Sequence, residues 1–324
     1  MVAHTVRFSA PGKVILFGEH AVVYGHPAIA TAISSRSYST VKESNNDNII
    51  LSVPLLFPNQ VFKITEKSVI LPELESIKSL ILEICNKHQN EPLPEIEIRS
   101  DVSPSAGLGS SAAVAVSLAA SLLEYYGYDF KLENINKLAL ESEKITHGTP
   151  SGIDNTISTY GGGILYQKGE ITPLESKLSS AVFVVVDSGQ WRNTKILVEN
   201  VRERKRTDPD SIQRIFNKIE EITWEAKIQL EKGNIRKIGY LMNENHEQLV
   251  ELGVSIPHLQ NIIEILDETN VLGRKITGAG GGGSIIALYD NYEYAVKVSE
   301  TMNRNHPYPS YPIKIFQPGV KIEE

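Results

Sequence analysis

Cysteine is nearly absent from this chain: one residue, Cys85, in 324. That excludes an intrachain disulfide and fits a reducing, cytoplasmic setting. Cys85 follows the helix-like stretch Ile77-Lys78-Ser79-Leu80-Ile81-Leu82-Glu83-Ile84 and reads as a core residue. No segment approaches the roughly 20 uncharged apolar residues of a membrane span, and Met1 to Arg7 lacks the apolar centre of a signal peptide, so no membrane partner is expected. Excess positive charge is also missing. A net charge of −7, from 32 basic and 39 acidic residues, gives no footprint for nucleic acid. The basic cluster Arg202-Glu203-Arg204-Lys205-Arg206 has acids interleaved and reads as a solvated helix end. His4, His26, His88, His246, His258 and His306 show no metal-ligand spacing. Internal repeats and low-complexity tracts are lacking too.

What is present begins with Pro104-Ser105-Ala106-Gly107-Leu108-Gly109-Ser110-Ser111-Ala112-Ala113-Val114. It follows the alternating Glu95-Ile96-Glu97-Ile98-Arg99 and opens onto a run of small and aliphatic residues, so the order is strand, glycine loop, helix. Glycines admit close approach of an anion, and the free N–H groups and dipole of a helix start favour negative charge there. No lysine follows Gly109, which sets aside the Walker phosphate loop. A dinucleotide fold needs a second strand ending in an acid about 20 residues on, but Leu132 to Ala139 is helical in period. Ser110 and Ser111 could cap the helix and hold a metal-bound phosphate.

Other residues point the same way. At about 100° per residue, Leu132, Ala139 and Glu143 share one sector of a helix over 132–147, with Glu133, Lys137, Glu141 and Lys144 opposite, so Glu143 faces inward. A carboxylate on an apolar face needs a cation or hydrogen-bond donors. Asp154 lies in the first turns of a helix starting near Pro150-Ser151. Lys13 follows Pro11-Gly12, read as a turn, and precedes the apolar Val14-Ile15-Leu16-Phe17; it needs a partner, and Asp154 is the expected one. Gly278-Ala279-Gly280-Gly281-Gly282-Gly283 is a second close-approach loop.

Strands are expected near 4–9, 28–43, 47–53, 95–101 and 162–167, and helices near 75–90, 106–126 and 132–147. A buried strand Ala181 to Asp187 opens a second part with helices near 192–206, 209–232, 234–251 and 256–269, a strand over 284–289, a helix near 291–304 and a final strand near 312–317. The expectation is an α+β chain of two domains, 1–178 and 179–324, joined near Lys177 to Ser180.

Ser9 to Gly25, the loop 104–113 and Lys275 to Gly283 together resemble the kinases of galactose, homoserine, mevalonate and phosphomevalonate, the GHMP kinases. Gly18-Glu19-His20-Ala21-Val22-Val23-Tyr24-Gly25 and Thr146-His147-Gly148-Thr149-Pro150-Ser151-Gly152-Ile153-Asp154-Asn155 are similar to the wording of mevalonate kinases. So are Arg192-Asn193-Thr194-Lys195 and Met242 to His246, and the likeness covers the whole chain. It implies an S5-like amino-terminal domain, a ferredoxin-like carboxy-terminal domain and ATP-dependent phosphorylation of the C5 hydroxyl of (R)-mevalonate. By resemblance, Asp154 accepts the hydroxyl proton beside Lys13, and Ser111 and Glu143 hold Mg²⁺. Glu19, His20, Arg192 and Thr194 line the acceptor site, while residues 104–114 with Gly280 and Gly281 face the nucleotide. The family often forms dimers, so a homodimer is admitted. Its alternatives are a sister kinase acting on another hydroxyl and a catalytically silent ligand sensor.

Overall fold

The structure is a computed structural model describing residues 5–88, 91–104, 106–128, 130–148, 150–178, 180–190 and 194–324. A first sheet holds β1 (Thr5–Phe17), β2 (Ala28–Glu43), β3 (Ile49–Ser52), β4 (Val61–Ile64), β5 (Pro94–Ser100), β6 (Gly163–Gln167) and β7 (Glu170–Leu174). A second, antiparallel sheet holds β8 (Val182–Asp187), β9 (Gly273–Thr277), β10 (Ser284–Tyr289) and β11 (Ser310–Ile313) in the order β11-β8-β10-β9. After β11 the chain returns to the first sheet, where β12 (Lys321–Ile322) pairs with Ser9 and Phe8 of β1. The sequence division 1–178 and 179–324 therefore misplaces the last residues: they close the edge of β1, which would otherwise present unpaired N–H and C=O groups.

Of helices α1 (Glu75–Cys85), α2 (Ser110–Tyr125), α3 (Leu132–His147) and α4 (Ile153–Tyr160), α2 and α4 pack against the first sheet, and α1 and α3 pack against α2 and each other. In the second part come α5 (Thr194–Thr207), α6 (Pro209–Lys232), α7 (Ile235–Glu251), α8 (Pro257–Asp267) and α9 (Tyr292–Asn305). Their punctuation is chemical: Asp208 accepts from Ser211 N and Pro209 opens α6, while left-handed Gly233 closes it. β2 distributes its side chains by alternation. Ala30 and Ala32 face α4, whereas Ile29 and Ile33 join Leu16, Phe17, Phe183, Val185, Met242 and Ile286 in a core continuous between the two sheets.

Several expectations shift. Pro11-Gly12 is not a turn but a register shift inside β1 between Pro11 and Lys13. The extra residues lie on β2, where Ile33 to Ser35 face Gly12 alone, and Ile33 and Ser34 pair instead with Ile315 and Lys314. The helix expected from 106 begins at Ser110, and the final strand ends at Ile313, before the expected 317. β4, β7, β9 and β12 were not foreseen; β9 carries Arg274 and Lys275, whose charges mask its strand character.

Candidate active site

A cavity of about 470 Å³ opens between β1 at Lys13, the loop before α2, α3 and the start of α4. Its lining includes Lys13, Pro104, Gly107 to Ala112, Glu143, Thr146, Pro150, Ser151 and Asp154. Lys13 Nζ meets Asp154 Oδ1 at 3.1 Å, the pairing expected from sequence. Asp154 lies in the first turn of α4, whose start is left-handed Gly152.

The glycine loop is fitted against Lys13. Lys13 N donates to Leu108 O at 2.7 Å. Gly109 has φ +73°, and a Cβ there would lie 2.8 Å from Lys13 Cγ. Glycine is required on both counts. Gly109→Ala is expected to push the Lys13 side chain aside and lower kcat/KM about a hundredfold, a loss of the size an ångström of misplacement brings. It should also cost about 1–2 kcal/mol for the left-handed backbone. Steady-state kinetics and a thermal melt check both; unchanged kcat/KM would show that Lys13 adapts.

Beyond Gly109, the amides of the first turn of α2 lack intrahelical partners and make an anion seat. Ser110 does not cap the helix: its hydroxyl donates to Val102 O at 3.2 Å and ties the loop to the end of β5. Ser111 is exposed in the cavity. Ala106 and Ala113 are wholly buried and pack rather than line it. Val114 instead lines a small apolar recess with Val53, Leu56, Ile77, Val102 and Pro104. Ser105 lies outside the described residues.

Glu143 is buried, as its helical phase implied. Burial first, then the Asp154 carboxylate, pushes its carboxyl up to about 8, with Lys13 opposing. A divalent cation would answer that unfavourable placement. Hard oxygens of Glu143 and Ser111, completed by phosphate oxygens and water, form a donor set that suits Mg²⁺, which binds through few protein ligands. Among the described residues no cluster of three or more His, Cys, Asp or Glu forms an all-protein cage.

Glu19 and His20 do not line this cavity. Glu19 is buried, ion-paired to Lys275 of β9, and accepts from Asn245 Nδ2 at 3.1 Å. His20 adopts φ +60°, uncommon for a side-chain-bearing residue, and its Nε2 lies 2.8 Å from Ala279 O. Burial lowers its pKa, the Ala279 contact and Glu19 opposing. Thr277 Oγ1 bonds both Ile15 N and Ile15 O, at 3.2 and 2.9 Å. These contacts stitch β9 and its glycine loop to the end of β1. Gly280 and Gly281 pack on Val254 and Leu197. Arg192 lies outside the described residues, as does the side chain of Thr194.

Sequence reasoning missed Lys275. The available signal was a lysine next to the apolar Ile276 in the run Arg274-Lys275-Ile276-Thr277 that leads into the glycine loop. Next to this cluster, His246 is buried on α7, and burial, then Arg274 and Lys275, lower its pKa to about 4. A depressed histidine keeps its stabilising neutrality above the ordinary value of 6.5, and that contribution is lost as pH falls towards 4. The linked loss at pH 4 is about 3 kcal/mol. His246→Gln is expected to flatten the fall of melting temperature between pH 6.5 and 4 relative to wild type; parallel curves would contradict this.

Residues 75–163 match the family described as GHMP kinases N terminal domain, and residues 226–307 that described as GHMP kinases C terminal. The chain is 33% identical to a mevalonate kinase of Thermococcus sibiricus, over 98% of both chains. It is 32% identical to that of Mus musculus, over 89% of this chain and 87% of the other. Two crystal structures are similar in fold, each 28% identical. One is the Methanococcus jannaschii mevalonate kinase, at a TM-score of 0.84 over 97% of this chain and 99% of that one. The other is the L. major mevalonate kinase in complex with R-mevalonate, at 0.83 over 98% and 97%.

Proposed function

Because the chain belongs to the GHMP kinases and, within them, to the mevalonate kinase family, we propose that it transfers the γ-phosphoryl group of ATP to the C5 hydroxyl of (R)-mevalonate. The observation that carries this reading is the Lys13–Asp154 pair at 3.1 Å, facing the amide-rich start of α2 across one cavity. In the transfer, a bond forms between the C5 oxygen and the γ-phosphorus while the bond from that phosphorus to the β-bridging oxygen breaks. The hydroxyl proton passes to Asp154, and ADP leaves.

Little covalent chemistry falls to the protein, so positioning and charge stabilisation supply most of the rate. The α2 amides and Gly107 to Ala112 hold the phosphates. Lys13 orients Asp154 and offsets negative charge as the acceptor oxygen attacks. The apolar recess beside Pro104 takes one face of the nucleotide base. Mg²⁺, held by Glu143 and Ser111, would supply neutralisation of phosphate charge. By the family resemblance, Glu19, His20, Arg192 and Thr194 would serve the acceptor and Gly280 and Gly281 the nucleotide.

The test is phosphoryl transfer by the purified chain with Mg²⁺-ATP, offered mevalonate, galactose, homoserine and phosphomevalonate in parallel. Product position is read by ³¹P NMR. A monoester on C5 of mevalonate is expected. Transfer to another of the four instead would reassign the substrate, and ATP binding with no transfer to any would favour a sensor.

A further inference from the structure

α4 carries Asp154 in its first turn and is eight residues long, so the aim of that carboxylate depends on what holds the helix. Near its start, Asn155 Nδ2 donates to Asn136 Oδ1 of α3 at 2.6 Å. On its flank, the Ser158 hydroxyl donates to Pro11 O at 2.8 Å, two residues from Lys13. Its far end is held by the segment that follows β11. Val320 N donates to Thr159 O at 3.1 Å and Gly162 N to Gln317 O at 2.8 Å, and Gly161 forms a bridge with Pro318. The fit is close: a Cβ on Gly319 would lie 2.2 Å from Thr159 O.

That segment lies on one buried cation. Arg36 of β2 donates from Nη1 to Pro318 O at 2.9 Å and from Nη2 to Gly319 O at 2.6 Å. Its Nε donates to Ser9 Oγ at 2.7 Å, and Nη2 also to Ser9 O at 3.0 Å. Ser9 in turn donates its hydroxyl to Glu323 at 2.5 Å. Only a planar fork of fixed donors reaches two carbonyls on one side and a strand residue on the other; an ammonium has three donors and no fork.

We propose that Arg36 is a positioning residue for the phosphoryl transfer. It touches no reacting atom; by fixing Pro318 and Gly319 it fixes the end of α4, and so the placement of Asp154 against Lys13. The inference rests on the kinase reading above.

The test compares wild type, Arg36→Met, Arg36→Lys and Gly319→Ala for turnover of ATP and mevalonate per folded molecule, the folded fraction taken from far-ultraviolet circular dichroism at the assay temperature. Normalising this way keeps a destabilised variant informative. Arg36→Met and Gly319→Ala are each expected to lower kcat about tenfold to a hundredfold, with KM for ATP within about twofold of wild type. Arg36→Lys should fall between. Gly319→Ala leaves the guanidinium in place, so a shared loss in kcat assigns the effect to α4 and not to the lost charge. Wild-type kcat in both variants, with only lower melting temperatures, would make Arg36 purely structural and overturn the inference. An equal change in KM for ATP would place the effect in the phosphate loop and overturn it as well. Absence of transfer by wild type itself would instead fail the kinase reading and take this inference with it.

Discussion

Asp154→Asn is expected to reduce kcat by about 10²–10⁴-fold, the contribution of a well-placed proton acceptor, while ATP binds within a few-fold of wild-type affinity. The amide keeps the shape of the carboxylate but cannot take the C5 hydroxyl proton, and Lys13 loses the charged partner that it meets at 3.1 Å. The phosphate seat is built from other residues, Gly107 to Ala112, and is untouched. A second effect follows through Glu143. Burial is the main reason its carboxyl is pushed up to about 8, and the Asp154 charge is the next, so the variant lets Glu143 ionise more readily. Rapid-quench single turnovers and calorimetric ATP binding separate the two outcomes. A kcat within tenfold of wild type would remove Asp154 from the proton-accepting role. Lys13→Met combined with Asp154→Asn should be little worse than the more damaging single change, because the two residues act as a unit.

Lys275→Ala should produce the largest loss of stability. Lys275 is fully buried, its ammonium pulled below the usual lysine range by burial and supported by the Glu19 carboxylate. Removing it leaves Glu19 buried with Asn245 alone. Truncating one partner of a buried pair typically costs about 3–5 kcal/mol, or about 4–7 °C in melting temperature for a chain of this size. Replacing both partners, Glu19→Gln with Lys275→Met, removes both buried charges and should recover most of that loss. Differential scanning calorimetry of the two single variants and the double variant gives the coupling. Additive losses would mean that the pair does not interact in the folded state.

Much of the site was legible because its logic is local. The glycine spacing before α2, the inward phase of Glu143 on α3 and the apolar run beside Lys13 each depend on a few consecutive residues, and the structure brings all three to one cavity. What escaped depends on distant partners. Pro11-Gly12 reads as a turn in isolation, yet it continues β1 because β2 runs alongside, and the extra residues of the register shift fall on β2. Lys275 and Arg274 disguise β9 until Glu19, more than 250 residues earlier in the chain, is seen to neutralise the first of them. Arg36 carries no signal of its role, since nothing near it in sequence says that Pro318 and Gly319 will cover it. Ala106 and Ala113 show the opposite limit: motif membership placed them at the nucleotide, whereas their lack of bulk serves packing.

The return of the chain to its first sheet also has a meaning in time. β1 is made more than 300 residues before Lys321 and Ile322, which pair with its edge at Phe8 and Ser9. At about 5–20 residues per second, the ribosome leaves that edge open for roughly 15–60 s. Throughout that interval the nascent chain exposes a free strand edge able to pair with a neighbour on the same messenger. The clamp on the far end of α4 is likewise missing until Pro318 and Gly319 emerge. A chain interrupted between β1 and β12 is therefore expected to lack both the partner of Phe8 and Ser9 and the clamp on α4, and to aggregate rather than act as a slow enzyme.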